Sequence, residues 1–275
     1  MAARTDHWRE HARLWGRIGS PLRPAAEELS RSEAWIAGML APSGQDMRAL
    51  ILGVTPELAL LTWPAGTRVF GVDRSIDMVR SAWPAAEMSG HGLAINGDWR
   101  TLPLPDASMS LAIGDGSYSN LDSIVDYDRL SQELGRVLRP GGHLILRLYV
   151  RPDLKESPDA VIDALLDGWT DNFNAFKLRL MMAMSPDPGY SVRVADIFDL
   201  WSSRGFDYDE VSRQVGISRA TIEAMDNYRG SATCYNFPPM TYVADHFARH
   251  FHLIETFTPA YTLGERCPTL LLARR

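Results

Sequence analysis

The chain has 275 residues, of which 45% are hydrophobic and 23% are charged, with 21 Gly and 17 Pro. This composition is typical of a globular protein and excludes disordered and fibrous classes. Twenty-eight Lys and Arg against 34 Asp and Glu give a net charge of -6, which argues against general binding to nucleic acid or to anionic lipid.

The length predicts one large domain with an insertion, since a domain takes about 150 residues. The two cysteines, Cys234 and Cys267, fit neither a disulfide framework nor a zinc site. No apolar run approaches the ~18 residues that a membrane-spanning helix needs, and the charged first residues do not resemble a secretory signal. We therefore expect a cytoplasmic protein with no membrane partner.

Residues 1–46 are predicted to form an N-terminal helical arm. Its first half repeats apolar residues near helical spacing: Trp8, Leu14, Trp15 and Ile18. Two prolines then interrupt the pattern, and the helix resumes over 25–40.

The chain then alternates short apolar runs with amphipathic stretches. The runs cover 49–52, 68–72, 92–95, 109–113 and 143–150. Continuous apolar runs are typical of strands buried on both faces of a parallel sheet. Before the fifth run, Leu130, Leu134, Val137 and Leu138 form one helical stripe, which Arg139-Pro140-Gly141-Gly142 ends. This order predicts an α/β fold.

Residues 153–230 are predicted to form a mostly helical insertion, because this stretch is too long for a simple crossover. It contains a methionine cluster at 181–184. The α/β domain would then consist of 47–152 and 231–275, and the chain would close with two paired strands at 251–257 and 269–273.

Two features follow the first two predicted strands. Gly53 comes directly after the first, where doubly wound folds bind nucleotide-like ligands, and Asp73 ends the second. A carboxylate at that position can accept both hydroxyl protons of a ribose. The alternatives are a plain tight turn at Gly53 and a helix N-cap at Asp73. Thr55 and Glu57 stand where a dinucleotide fingerprint has glycines, which argues against a nicotinamide or flavin cofactor.

Polar loops also follow the third and fourth strands. The carboxylate of Asp98 can bond an exocyclic amine while the ring of Trp99 flanks a purine. Gly116, beside Asp115, lets the loop pass close beneath a ligand. Ordinary turn chemistry is the alternative for each loop. Four successive strand ends with such features favour one ligand site at the edge of the sheet.

This ordered set resembles the class I S-adenosylmethionine-dependent methyltransferases over residues 48–150 and, more weakly, over the last two strands. The matching motifs are Leu52-Gly53-Val54-Thr55-Pro56-Glu57, Val72-Asp73-Arg74-Ser75-Ile76-Asp77-Met78, Gly97-Asp98-Trp99 with Leu102-Pro103-Leu104-Pro105-Asp106, Ser110 to Leu121, and Leu138-Arg139-Pro140-Gly141-Gly142-His143-Leu144. The resemblance implies a Rossmann-like, doubly wound, mostly parallel seven-stranded sheet whose last strand is antiparallel. It also implies S-adenosylmethionine as cofactor and direct transfer of a methyl group to an acceptor.

The resemblance further implies roles for particular residues. Asp73 would hold the ribose hydroxyls, Asp98 and Trp99 the adenine, and 53–56 would make room for the methionine part. The expected cofactor-binding residues are Gly53, Val54, Thr55, Pro56, Asp73, Arg74, Ser75, Met78, Asp98, Trp99, Asp115, Gly116, Ser117 and Tyr118. No catalytic residue is predicted, because in-line methyl transfer chiefly requires alignment of donor and acceptor.

The sequence departs from the family at the cofactor's amino-acid end, because Ile51 replaces the usual acidic residue of the first strand. Arg23 in the helical arm is a candidate for binding the cofactor's carboxylate, with a solvated surface arginine as the alternative. The acceptor is expected to be a small molecule that is partly enclosed by the insertion and by aromatic residues such as Tyr118, Tyr149 and Tyr235. Plain packing is the alternative for these tyrosines.

A second function class stays open. Residues 208–222 resemble a helix-turn-helix with Gly216 at the turn and Ser218 as a cap, so a cofactor-binding sensor or transcriptional regulator is the alternative. However, four Arg against five acids over 204–229 give that stretch a net charge of -1, which a major-groove reader rarely has. His246 and His250 are four apart without a neighbouring Glu, so we expect no metal site.

Overall fold

The structure is a computed structural model that describes residues 19–39 and 47–275. Its centre is a seven-stranded sheet. The strands are β1 (Arg48–Leu52), β2 (Arg68–Asp73), β3 (Gly92–Asn96), β4 (Met109–Asp115), β5 (Leu138–Arg147), β8 (Phe251–Phe257) and β9 (Thr269–Arg274). The apolar runs at 49–52, 68–72, 92–95 and 109–113 therefore all form strands, as predicted.

The strand order is β3-β2-β1-β4-β5-β9-β8, and β9 is antiparallel to both of its neighbours. The other pairings are parallel, so that Ile51 of β1 lies between Gly71 of β2 and Ile113 of β4. The chain order reverses between β1 and β4, and ligands bind at such a switch point, outside the carboxyl ends of the strands. The predicted fold class is confirmed.

The helices beside the sheet and in the insertion follow the predicted order. They are α1 (Ala26–Gly38), α2 (Pro56–Ala59), α3 (Ile76–Ala82), α4 (Val125–Val137), α5 (Pro158–Leu166), α6 (Phe173–Met184), α7 (Val194–Ser203), α8 (Tyr208–Val215), α9 (Arg219–Glu223) and α10 (Met240–Ala248). Leu130, Leu134 and Val137 of α4 are fully buried, as expected for a stripe that packs on the sheet.

The fifth strand differs from its prediction. It begins at Leu138, directly after α4, and not at His143, and it ends at Arg147 and not at Val150. The register opposite β4 shifts between Met109 and Leu111, so the intervening Arg139–Gly142 residues loop out as a bulge. A proline and two glycines are accommodated in a strand at such an irregularity.

The insertion has its own apolar core, which is separate from the two cores that flank the sheet. At its centre lie Trp201, Phe173 and Phe176, each at most 2% exposed. It also contains a two-stranded sheet of β6 (Ser191–Arg193) and β7 (Cys234–Asn236), which the mostly helical prediction missed. The strand β7 pairs with β6 although it lies beyond residue 230, where the insertion was predicted to end. The domain boundaries given above stay a prediction.

The described part of the N-terminal arm packs across the sheet. The Trp35 indole N–H of α1 donates to the Glu255 carboxylate of β8 at 2.9 Å. The predicted helix containing Trp8, Leu14, Trp15 and Ile18 lies outside the described residues. Within 19–39 and 47–275, every helix is too short or too polar to cross a bilayer.

Candidate cofactor and acceptor site

A cleft of about 1270 Å³, including its open mouth, lies at the carboxyl edge of the sheet under the insertion. Its strand end is formed by the loops after β1 to β4. Its insertion end is formed by α6, the single-turn helix Ala224–Tyr228 and β7 with Phe237.

Most of the predicted site residues line this cleft. They are Gly53, Val54, Thr55, Asp73, Arg74, Met78, Asp98, Trp99, Asp115, Tyr149 and Tyr235. The structure places the other six elsewhere: Arg23, Pro56, Ser75, Gly116, Ser117 and Tyr118. The topology therefore brings together residues that are up to 182 positions apart in the sequence, from Gly53 to Tyr235.

The loop after β1 turns sharply at Gly53. Its φ is +108°, a conformation that side chains rarely adopt, and its amide donates to the Val72 carbonyl of β2 at 2.8 Å. Thr55 precedes α2, and Pro56 is the first residue of that helix. The turn leaves the backbone of 53–55 on the cleft wall without glycines at the later positions.

Asp73 ends β2 beside Gly53. Its Oδ1 accepts a hydrogen bond from the Ser75 amide at 2.7 Å, while Ser75 itself is the N-cap of α3 and accepts from the Met78 amide. Asp73 is therefore not the cap of α3, and its second oxygen lies beside Gly53 of the cleft wall. Burial raises the pKa of this carboxyl to about 6, although the Ser75 hydrogen bond and Arg74 oppose the shift.

The loop after β3 holds Trp99 against the end of β2. The Trp99 indole N–H donates to the Val72 carbonyl at 2.5 Å, and the ring passes next to Gly53. The Asp98 carboxylate accepts from Arg100 Nε at 2.9 Å and from the guanidinium terminus at 2.5 Å. These hydrogen bonds lower the pKa of Asp98, so its carboxylate is already engaged before any ligand binds.

Asp115 ends β4 and belongs to a buried network. Its carboxylate pairs with Arg147 of β5, which also binds Glu28 of α1 at 2.6 Å, and all three side chains are at most 7% exposed. Arg147 further donates to the Tyr149 hydroxyl at 2.8 Å, and that hydroxyl donates to the Pro21 carbonyl at 3.0 Å. The network fixes the N-terminal arm against the strand end of the cleft.

Gly116, Ser117 and Tyr118 follow Asp115 but face away from the cleft. A Cβ at Gly116 would lie 2.6 Å from the Tyr149 ring, so only glycine fits there. The Tyr118 side chain is fully buried, and its hydroxyl is 2.7 Å from the Ser131 hydroxyl. Ser131 in turn lies 2.8 Å from His246 Nε2. This buried chain of hydrogen bonds joins α4 to α10.

Arg23 lies at the edge of the same region. Its guanidinium forms an ion pair with Glu57 in the first turn of α2. Burial lowers the pKa of Arg23, and the nearby Asp115 opposes the shift. The predicted partner of the cofactor's carboxylate thus lies beside Asp115 and already binds one carboxylate of the chain.

The sequence analysis missed several residues on the cleft wall. They are Leu22, Leu52, Gly97, Arg100, Asn120, Leu121, Asp122, Leu178, Met181, Tyr228 and Phe237. Asn120 donates through Nδ2 to the Gly116 carbonyl at 3.1 Å, and its Oδ1 is buried without a partner among the described residues. Only the methionine cluster at 181–184 gave a hint of the insertion end, because distance along the chain hides the rest.

The charges of the cleft are unevenly distributed. Four aspartates and two arginines line it, all at or near its strand end, which gives that end a net charge of about -2 and suits a cationic ligand. Among residues 19–39 and 47–275, no group of three His, Cys, Asp or Glu side chains is arranged to hold a metal ion.

Comparisons with known proteins agree with this geometry. Residues 52–146 match the family described as "Methyltransferase domain". No curated protein matches the chain in sequence.

Solved structures share the fold at low identity. A methyltransferase from Methanosarcina mazei, described as S-adenosylmethionine-dependent, is 15% identical, with a TM-score of 0.51 over 87% of this chain and 96% of its own. The Burkholderia thailandensis 1,6-didemethyltoxoflavin-N1-methyltransferase, with bound 1,6-didemethyltoxoflavin and S-adenosylhomocysteine, is 10% identical. Its TM-score is 0.56 over 99% of this chain and 88% of its own. A Rhodobacter sphaeroides protein proposed to be a Zn-dependent alcohol dehydrogenase is 13% identical, with a TM-score of 0.59 over 99% of this chain and 98% of its own.

The sheet order and the cleft at its switch point define a Rossmann-like fold for a nucleotide-like ligand. Within that class, residues 52–146 match the methyltransferase-domain family, and the sheet that contains them has the fold of solved methyltransferases. The chain therefore carries a methyltransferase domain, and one solved methyltransferase that shares its fold holds S-adenosylhomocysteine.

Proposed function

We propose that this methyltransferase transfers the methyl group of S-adenosylmethionine to a small-molecule acceptor that the insertion encloses. The observation that carries the proposal is the insertion end of the cleft, where Leu178, Met181, Tyr228 and Tyr235 face the strand end. An acceptor bound there is covered by protein, which favours a small molecule over a macromolecule. The Burkholderia thailandensis neighbour, whose acceptor is a small molecule, supports the same class.

In this proposal the strand end holds the cofactor. When bound, S-adenosylmethionine supplies a methyl group on a positively charged sulfur, which keeps the bonding electron pair when an acceptor atom attacks the methyl carbon. The second oxygen of Asp73 accepts from the ribose hydroxyls. Met78 and Trp99 offer apolar surface to the adenine, and Asp98 aligns Arg100 at the rim of that pocket.

The amino-acid part of the cofactor would lie between Asp115, Asn120 and Arg23. Asp115 and the unpaired Asn120 Oδ1 can accept hydrogen bonds from an ammonium group. The guanidinium of Arg23 has five N–H donors, so it can bind a carboxylate beside Glu57. Ser117 and Tyr118 are left out of the proposed site, because both are buried away from the cleft.

The net charge of the strand end supports this cofactor over a dinucleotide. S-adenosylmethionine is cationic at its sulfur and ammonium, whereas a pyrophosphate is anionic and would meet Glu57 in the first turn of α2. Pyrophosphate sites avoid such a carboxylate, because helix N-termini bind phosphate through bare N–H groups.

The helix-turn-helix-like segment gains no support as a DNA reader. Val211, Ile217 and Ile222 of this segment are buried in the insertion core. Arg219 binds the carboxylates of Asp209 and Glu223 at 2.5 and 2.8 Å, which reduces the positive charge that DNA phosphates would need.

A labelled methyl group tests the proposal. The purified protein is incubated with S-adenosylmethionine carrying a CD₃ group and with a cell extract separated into a fraction below about 1 kDa and a macromolecular fraction. We expect the label in the small-molecule fraction, with loss of labelling in Asp73→Asn and none in the exposed-carboxylate control Glu87→Gln. Label confined to protein or nucleic acid would refute the small-molecule acceptor.

A further inference from the structure

The chain contains only two lysines, Lys155 and Lys177. Lys155 is exposed, whereas Lys177 of α6 is 7% exposed. Its Nζ lies 5.3 Å from the ring centroid of Tyr228 and 5.9 Å from that of Phe173. Among the described residues, no carboxylate and no hydrogen-bond acceptor contacts it. A buried ammonium without a counter-ion is costly and is rarely retained without a reason.

Two tyrosine hydroxyls of the insertion end are also unpaired among the described residues. Tyr228 and Tyr235 line the insertion end, and neither hydroxyl has a hydrogen-bond partner in the described part of the chain. Tyr149, the third tyrosine of the cleft, differs because its hydroxyl is bonded to Arg147 and Pro21. Buried and half-buried polar groups are normally paired, so these two hydroxyls await a ligand.

All three groups are donors at neutral pH. Burial raises the pKa of Tyr235 to about 12 and also raises that of Tyr228, so both hydroxyls keep their protons. Burial alone lowers the pKa of Lys177 to about 8, which leaves the amine largely protonated at pH 7. The insertion end of the cleft thus offers two O–H donors and no carboxylate, while the positive charge of Lys177 lies over the Tyr228 ring without lining the cleft.

The remaining wall of the insertion end is apolar and partly aromatic. Leu178, Met181 and Phe237 line it together with the two tyrosine rings. The ring centroids of Tyr235 and Phe237 are 6.3 Å apart. Aromatic walls favour a planar ligand through stacked and edge-to-face contacts. The shape and the charge therefore point to the same ligand class.

We propose that the methyl acceptor is an aromatic acid whose anionic oxygen accepts hydrogen bonds from Tyr228 and Tyr235, with the Lys177 ammonium over the Tyr228 ring as the nearby positive charge. This inference rests on the proposed function, since it assigns the insertion end to the acceptor. In this proposal the anion binds at the insertion end, whereas the lining aspartates follow the strands, so the two ends of the cleft take ligand groups of opposite sign.

A matched pair of probes tests the inference on the whole chain. Calorimetry at pH 7 in the presence of S-adenosylhomocysteine compares 2-naphthoate with 2-naphthamide, which have the same shape and differ in charge. Charged hydrogen bonds are stronger than neutral ones, so we expect at least tenfold tighter binding of the naphthoate. The preference should shrink above pH 8 as the Lys177 amine loses its proton.

Variants locate the preference. In Lys177→Met the naphthoate should bind about as weakly as the naphthamide, while Lys155→Met should keep the wild-type preference. Tyr228→Phe and Tyr235→Phe should each reduce it in part. Because Met has a similar length and removes a buried charge, the Lys177 variant should melt no lower than the wild type.

The outcomes separate this inference from the proposed function. Failure of S-adenosylhomocysteine to bind the wild type would overturn the proposed function. Binding of S-adenosylhomocysteine with no preference for the naphthoate in the wild type would overturn the aromatic-acid inference alone. A preference for the naphthoate that survives in Lys177→Met would overturn the role of the lysine.

Discussion

Substitution of Asp73 by Asn should weaken cofactor binding and stabilise the ligand-free protein. Burial raises the pKa of this carboxyl from 3.8 to about 6, so its charged form is disfavoured in the folded chain. Each pKa unit corresponds to about 1.4 kcal/mol, which puts the cost of the carboxylate at pH 7 at up to about 3 kcal/mol. The stability that protonation of this group provides is complete below about pH 4 and is lost as the pH rises through about 6.

Asparagine retains the Oδ1 that accepts from the Ser75 amide but removes the charge that accepts from the ribose. We expect the ligand-free Asp73→Asn protein to melt several degrees higher at pH 7, because about 1 kcal/mol shifts the midpoint by about 2–4 °C at this size. Its affinity for S-adenosylhomocysteine should fall about tenfold or more, since hydrogen bonds to charged groups contribute about 1.5–3 kcal/mol.

Thermal melts with and without S-adenosylhomocysteine measure both effects in one experiment. Without ligand, the melting midpoint of Asp73→Asn should lie above that of the wild type, and S-adenosylhomocysteine should raise it by less. Glu87→Gln should match the wild type with and without the ligand. An unchanged ligand-induced shift would refute the ribose assignment. A lower ligand-free midpoint would refute the conclusion that an unpaired charge is buried at the end of β2.

Three further outcomes follow from buried and paired groups. Burial lowers the pKa of His246 to about 4, so the protein should lose up to about 3 kcal/mol of stability as the pH falls from about 6.5 to 4, and His246→Gln should flatten this loss in denaturant titrations. Arg147→Met leaves Glu28 and Asp115 buried without their cation, which should cost about 3–5 kcal/mol at pH 7, measured by urea unfolding. Mixed DNA fragments at low salt should give no gel shift, whereas salt-sensitive binding that Arg219→Glu abolishes would favour the regulator.

The sheet could be predicted because its strands are continuous apolar runs. Strands such as those of Ile51 and Ile113 are buried on both faces, so their sequence lacks the polar positions that an amphipathic helix or a half-exposed strand would show. The four polar strand ends then fall at one edge by topology alone, which is why Gly53, Asp73 and Asp115 were predicted to lie near one another. Local pattern and parallel pairing were sufficient for this part.

The direction in which loop side chains point, and the contacts between residues far apart in the sequence, could not be predicted. Tyr118 sits in a loop beside a cleft residue, yet it is fully buried: its hydroxyl bonds Ser131, which in turn bonds His246, 115 positions further along the chain. Arg147 and Glu28 are 119 positions apart, and nothing local marks them as partners. The insertion end depends on how helices pack around Trp201, which hydrophobic periodicity does not specify.

The central claim is that the cleft at the carboxyl edge of β1 to β4 binds S-adenosylmethionine. Calorimetric titration of the full chain with S-adenosylhomocysteine and, separately, with NAD tests it directly. The account predicts one S-adenosylhomocysteine per chain, with an affinity that falls below about pH 6 as Asp73 takes up a proton, and no heat with NAD. Saturable binding of NAD, or no binding of S-adenosylhomocysteine to the folded protein, would contradict it.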